Sequence, residues 1–270
     1  MNKRLILSVI VSFLASSSLF AQVEETVPPL RNTHFITGLG GSYVNIIDQG
    51  ISPLLYKGIG GGVVLGHLHE TSRSIAQSTA RFDFNNPNNS INGTDMYTFR
   101  LEGLYQHFFQ LKNQSGKKLK ILPGISGLGR WVLRDKLSYT NNKQHVETRF
   151  SLAPALLIKR PFQLWKRDFE IGMFSQLPLV TYATRPLFAS TRFPASVNQD
   201  EIKFFDYLKK GEVVSLGSYF RLSAQTYLLY SFKNGNALRL DYFWMFESYN
   251  ALNPIRTGEH GLMISTFLKL

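Results

Sequence analysis

The chain has 270 residues with no cysteine, 21 Phe, 12 Tyr and 3 Trp, and its 30 Lys and Arg against 18 Asp and Glu leave a net charge of +12. The lack of cysteine excludes a disulfide framework, a thiolate metal site and a cysteine nucleophile, and 44% hydrophobic residues exclude a disordered chain. Charged residues reach only 18%, below the roughly 25% of a soluble domain, which implies a surface that does not all face water.

Residues 1–21 read as a secretory signal: Lys3 and Arg4, an apolar run from Leu5 to Leu14, the small residues Ala15, Ser16, Ser17 and Ser18, then Ala21 at the expected cleavage point. That apolar run, of about ten residues, is short of the roughly 20 a spanning helix needs. Residues 22–270 then form a single domain, and no stretch in it approaches the apolar length of a transmembrane helix.

Period two replaces period 3.6 from there on. Strands are predicted over 36–47, 58–69, 75–84, 96–110, 119–135, 147–159, 168–185, 213–232, 237–247 and 259–270. The alternation is clearest late in the chain, where Phe220, Leu222, Leu228, Tyr230 and Phe232 oppose Arg221, Ser223, Gln225 and Ser231. Next, Leu238, Leu240, Tyr242, Trp244 and Phe246 oppose Arg239, Asp241 and Glu247. A strand turns successive side chains to opposite faces, so each segment separates two unlike environments. A barrel in lipid and a soluble sandwich both produce this pattern; the aromatic load, the strand lengths and the signal favour the barrel.

Loop length adds a second argument. Odd-numbered connections are predicted long, at 47–56, 84–95, 136–145, 186–212 and 248–258. Even-numbered ones are predicted short, at 70–74, 111–118, 160–167 and 233–236, the last with the hairpin dipeptide Asn234-Gly235. Sorting by rim fits long extracellular loops and short periplasmic turns. The fold class is therefore all-β: a transmembrane antiparallel up-and-down β-barrel of about ten strands, within about eight to twelve. Glycine-rich stretches at 38–41, 58–66 and 124–129 blur the register of strands 1, 2 and 5. Lying inside strands, these glycines predict bends or close backbone approach rather than a phosphate loop.

Leu262, Ile264, Thr266, Leu268 and Leu270 alternate to the end of the chain. This resembles the C-terminal strand signal of outer-membrane proteins, with Leu in place of the commoner terminal Phe. Together with Phe20-Ala21-Gln22, the chain resembles outer-membrane β-barrels of Bacteroidota type. The resemblance implies an outer-membrane location, the lipid bilayer and outer-leaflet glycolipid as partners, and the barrel assembly machinery as a partner during insertion. It carries no functional residues across.

The predicted inward face includes Arg81, Asp83, Arg100, Glu102, Gln106, Arg130, Arg134, Arg149, Glu170, Gln176, Arg221, Gln225, Arg239, Asp241 and Glu247. Eight strands leave a barrel just wide enough for side chains to fill, so about ten sits near that limit. One reading is an interior ion-pair network; the other is a narrow pore whose arginine excess favours anions. Residues 186–212 are then a loop for gating or recognition. Arg185 and Arg192 with Lys203, Lys209 and Lys210 give it a basic surface for glycolipid headgroups, and a secreted chain has no nucleic acid to meet.

An alternative function is an outer-membrane surface hydrolase acting on lipid or peptide. Its acid and base would come from the long-loop rim, where His145 with Glu147 and Glu259 with His260 supply the residue types. Asp95 falls at the same rim. His67 and His69 share a strand face beside Glu70, but no third ligand is near, and neither a metal site nor a cofactor is expected. These histidines, with His34 and His107, are assigned to an aromatic-belt role at the membrane interface.

Overall fold

The computed structural model describes residues 32–111, 119–136, 138, 144–185, 208, 211–250 and 253–270. The predicted signal segment, 1–21, and most of 186–212 lie outside the described residues.

The strands are β1 (Asn32–Asp48), β2 (Ser52–Glu70), β3 (Ser74–Asn85), β4 (Tyr97–Phe109), β5 (Lys120–Asp135), β6 (Gln144–Leu164), β7 (Arg167–Gln176), β8 (Val180–Thr184), β9 (Glu212–Ser215), β10 (Tyr219–Ser231), β11 (Ala237–Tyr249) and β12 (Ile255–Lys269). All pairings are antiparallel; β1 joins β12, and β5 joins β6 to close the ring. Both β7 and β8 pair with β6, while β9 pairs with β8 and β10 with β7. Each couple is one interrupted strand, so the molecule is a closed up-and-down barrel of ten strands. Closure leaves no unpaired edge.

The two interruptions correct the predicted alternation. Leu177, Pro178 and Leu179 break the segment predicted at 168–185, because a proline has no N–H for the ladder. A turn at Leu216, Gly217 and Ser218 breaks the one predicted at 213–232. Across each break the inward parity flips: Phe174 and Gln176 are buried on one side, Thr181 and Ala183 on the other. Val214 and Tyr219 flip in the same way.

Connection lengths also differ from expectation. The first is three residues, Gln49, Gly50 and Ile51, tightened by Gly50 N donating to Asp48 Oδ1 at 3.1 Å. The last spans only 250–254, and long connections persist at 86–96, 136–143 and 185–211. On the other rim β6 runs on through Pro161 to Leu164, and the turn is Trp165-Lys166, with φ of 50° and 59°. Two successive left-handed residues are the primed hairpin geometry that matches strand twist.

Even positions of β1 and β2 face inward, and both inner faces are bared by glycines. A Cβ on Gly60 would collide with the Asn85 carboxamide, and one on Gly62 with the Asp83 carboxylate. Their absence lets those side chains of β3 lie flat across the β2 backbone. The outer wall is apolar, with Leu39, Ile59, Val63, Leu65, Phe82, Leu101, Leu152, Ile171, Leu240, Leu262 and Ile264 exposed.

Candidate functional site: the barrel interior

Arg81, Arg100, Glu102, Arg130, Arg134, Arg149, Glu170, Arg221, Gln225, Arg239 and Asp241 all stand on inward positions of their strands. Near mid-barrel, Arg81 Nε meets Asp83 Oδ1 at 2.8 Å and Arg100 Nη2 meets Asp83 Oδ2 at 2.8 Å. Arg100 also donates to Glu259, and Arg81 reaches the same carboxylate at 3.3 Å. Arg100 belongs to β4 and Glu259 to β12, so this pair crosses the lumen. Arg221 of β10 donates to Glu102 of β4 at 3.0 Å, a second crossing.

A larger cluster lies toward the long-loop rim. Glu247 accepts from Arg130 and Arg149. Glu147 accepts from Arg134 and Arg149 at 2.9 Å each and from Arg185 at 3.0 Å. Asp48 accepts from Arg134 at 3.3 Å and from Arg185 at 2.5 Å. These acid side chains are at most 1% exposed. Buried charges persist only when paired and hydrogen-bonded, and each carboxylate here has two or more guanidinium donors. Arg149 lies 5.2 Å over the Tyr219 ring and 5.6 Å over Tyr249. Two apolar clusters flank this layer: Val44, Ile46, Ile51, Tyr56 and Met96 form one, and Ala183, Val214, Tyr219, Tyr249 and Ile255 the other.

The opposite end is hollow. A cavity of about 610 Å³ is lined from the short-turn rim, at Asn32, Ser231 and Lys269, inward to Gln106, Phe174 and Gln225. Its wall is apolar at Leu68, Ile75, Phe108, Leu157, Leu229 and Phe267. Its charged lining includes Lys159, which bridges Glu70 at 3.0 Å and Glu170 at 3.5 Å, Arg239, whose Nε donates to Asp241 at 3.0 Å, and Asp168 and Lys269. Tyr227 donates to Glu170 at 2.8 Å, and Gln225 donates to Asp241 at 2.8 Å. Deeper in, a second space of about 60 Å³ is lined by Arg81, Arg100, Glu102, Arg221, Ser223 and Glu259, and shares Phe174 and Gln225 with the first.

The proposed rim acids and bases are placed differently from expectation. Glu147 and Glu259 are buried under arginines, which hold them as ion-pair acceptors instead of leaving them open to water. Glu259 and His260 are adjacent in β12 and so project to opposite faces; His260 sits outside, its ring 5.6 Å from Tyr43 and 6.4 Å from Tyr242. His145 is buried beside Glu147 on the inner face. Asp95 is a loop residue that accepts from Asn88 at 2.9 Å.

His67 and His69 fall on the outer face, where His69 Nδ1 is 3.0 Å from Thr33 Oγ1, whereas Glu70 points inward. Among the described residues no cluster of three metal-ligating side chains is present. His107 lies outside between Tyr105 and Phe109, with 4.9 Å between its centroid and that of Phe109. His34 instead faces inward, its Nε2 3.1 Å from Gly235 O, and lines the cavity.

Two members of the network escaped the sequence reading. Asp48 fell in a predicted loop, although the even alternation of Val44 and Ile46 extends to it. Arg185 was assigned to a basic outer surface; it is buried against Asp48 and Glu147, and Arg192, Lys203, Lys209 and Lys210 lie outside the described residues.

No protein-family model and no curated protein matches the chain. Among solved structures it is similar to the translocator domain of the autotransporter NalP from Neisseria meningitidis (9% identity, 97% of each chain covered, TM-score 0.34). It is also similar to a mutant of the TodX monoaromatic hydrocarbon channel (6% identity, 90% of this chain and 91% of that one, TM-score 0.34). A third is the beta domain of the Bordetella autotransporter BrkA (8% identity, 88% and 98%, TM-score 0.32). Likeness of this size carries no inference about what the chain does.

Proposed function

We propose that the chain is an integral outer-membrane barrel that does not pass solutes freely: it is closed on its long-loop side by its own charges and open as a funnel on its short-turn side. Lipid is the solvent that accepts a closed barrel with an apolar outer wall, since every backbone group is paired within it. The secretory reading of residues 1–21 supports passage across the inner membrane, and the alternating C-terminal strand supports handling by the barrel assembly machinery. On this reading bilayer lipid and outer-leaflet glycolipid surround it, with the funnel facing the periplasm.

One observation carries the closure. Arg100 to Glu259, Arg130 to Glu247 and Arg221 to Glu102 each tie one wall of the barrel to another. Charges that neutralise one another across the lumen leave neither a path nor a field for a passing anion, which disfavours the narrow-pore reading. The hydrolase reading loses its constellation too, because its carboxylates are committed to arginines.

Refolded chain in a planar bilayer should therefore give no stable open-channel steps. The double variant Arg100→Ala with Glu259→Ala removes a crossing pair without stranding either charge, and should produce discrete currents. Large steps from the unaltered protein would overturn the proposal.

A further inference from the structure

We propose that the funnel is a binding site for a monoanionic amphiphile, with the anionic head in the small deep chamber against Arg221 and Ser223 and the apolar body along the wall of the larger cavity. A barrel that turned out to conduct would overturn the closure proposed above and leave this binding measurement standing.

Two independent observations converge: unpartnered donors at the chamber and an apolar-walled funnel leading to it. Arg221 is buried and spends Nη2 on Glu102, but its Nε and Nη1 have no partner, and neither does Ser223 Oγ; all three belong to residues lining the chamber. Buried donors are nearly always satisfied, so unfilled ones around a space call for an acceptor to enter it.

The approach to the chamber sets the rest of the ligand. The funnel's 610 Å³ lies within the range of about 300–1,000 Å³ that small-molecule sites occupy. Ile75, Phe108, Leu157 and Phe174 give it an apolar wall, and Phe174 with Gln225 line both spaces. From rim to floor, Ser231 to Gln225 along β10, the distance is roughly 20 Å at the rise of an extended strand. A medium-length acyl chain with one carboxylate fits within that volume and that length. Hydrogen bonds to an ionised head are the stronger kind, so the head should dominate the affinity.

The test is calorimetric titration of the full chain in lipid nanodiscs, with empty nanodiscs as reference, using octanoate, octanol and acetate as probes. Octanoate should bind saturably, with octanol and acetate each about tenfold weaker or more, the loss expected when a charged hydrogen bond or the apolar body is missing. Leu157→Trp, which narrows the funnel and leaves every charge in place, and Arg221→Gln, which removes the open donors, should each weaken octanoate by about tenfold. Folding of both is checked by gel mobility before and after boiling. The proposal is overturned if native protein shows no saturable octanoate binding, or if folded variants bind as tightly as native. Should neither variant fold, the native series decides alone: acetate as tight as octanoate reduces the site to one for small anions only, octanol as tight removes the role of Arg221, and either result overturns the proposal.

Discussion

The two halves of the barrel interior obey the same inward-polar rule and end up in opposite states. Toward the long loops, seven-atom arginine side chains from one wall meet carboxylates rooted in another, and the lumen is filled. Toward the short turns much of the inner wall is Leu68, Ile75, Phe108 and Leu157, which stop short of the axis, and a cavity is left. Among the described residues that half has one comparable strut, Lys159 to Glu70, and its carboxylate side chain is 31% exposed. Filling thus depends less on how polar the lumen is than on whether its side chains reach across.

The sharpest way to break this comparison is Glu247→Ala. It leaves Arg130 and Arg149 facing each other without their shared acceptor, and uncompensated buried charge costs about 3–5 kcal/mol. Urea unfolding in lipid vesicles, followed by tryptophan fluorescence, should show that loss. A change within experimental error would mean that water reaches this layer and that the interior is not filled there.

A smaller effect is expected from Gly62→Val. The new side chain meets the Asp83 carboxylate, which must lift off the β2 backbone and loosen its bonds to Arg81 and Arg100. Overpacking of this kind costs about 1–3 kcal/mol. The same vesicle assay measures it, and an unchanged midpoint would show that the glycine faces spare room.

Lys159→Met then asks whether the funnel end is as wet as its cavity implies. Glu70 and Glu170 lose their partner but keep access to the open space, so the cost should stay below about 1 kcal/mol, as for an exposed pair. A loss as large as that of Glu247→Ala would place the funnel on the same footing as the plug.

Much of this architecture could be read from the chain, and the misses have local causes. Ten strands follow from period two because an apolar outer wall on one side and charge on the other make every second residue alternate; β10 and β11 make that plain at Arg221, Gln225, Arg239 and Asp241. Where one residue interrupts the ladder, as Pro178 does, the phase beyond it is lost to a pattern argument. Asp48 and Arg185 were missed for the same reason: each sits at a strand end, where alternation has few neighbours to define it. The funnel was invisible because a cavity depends on side-chain reach across the barrel, and a one-dimensional pattern holds no diameter.

The smallest effect concerns the rim that frames the funnel. Trp165 and Lys166 occupy left-handed backbone at φ 50° and 59°, which costs an L residue other than glycine or asparagine on the order of 1 kcal/mol. The turn is kept because the flanking pairs Leu164 to Arg167 and Phe162 to Phe169 fix its length, the two Phe rings stacking at 5.6 Å. Trp165→Asn with Lys166→Gly supplies the residues this turn geometry prefers. The double variant should gain roughly 0.5–1 kcal/mol in vesicle unfolding, and octanoate binding should not change, since neither residue lines the cavity. A loss of stability would mean that the exposed Trp165 ring anchors this rim in the membrane interface, an effect larger than the strain of its backbone.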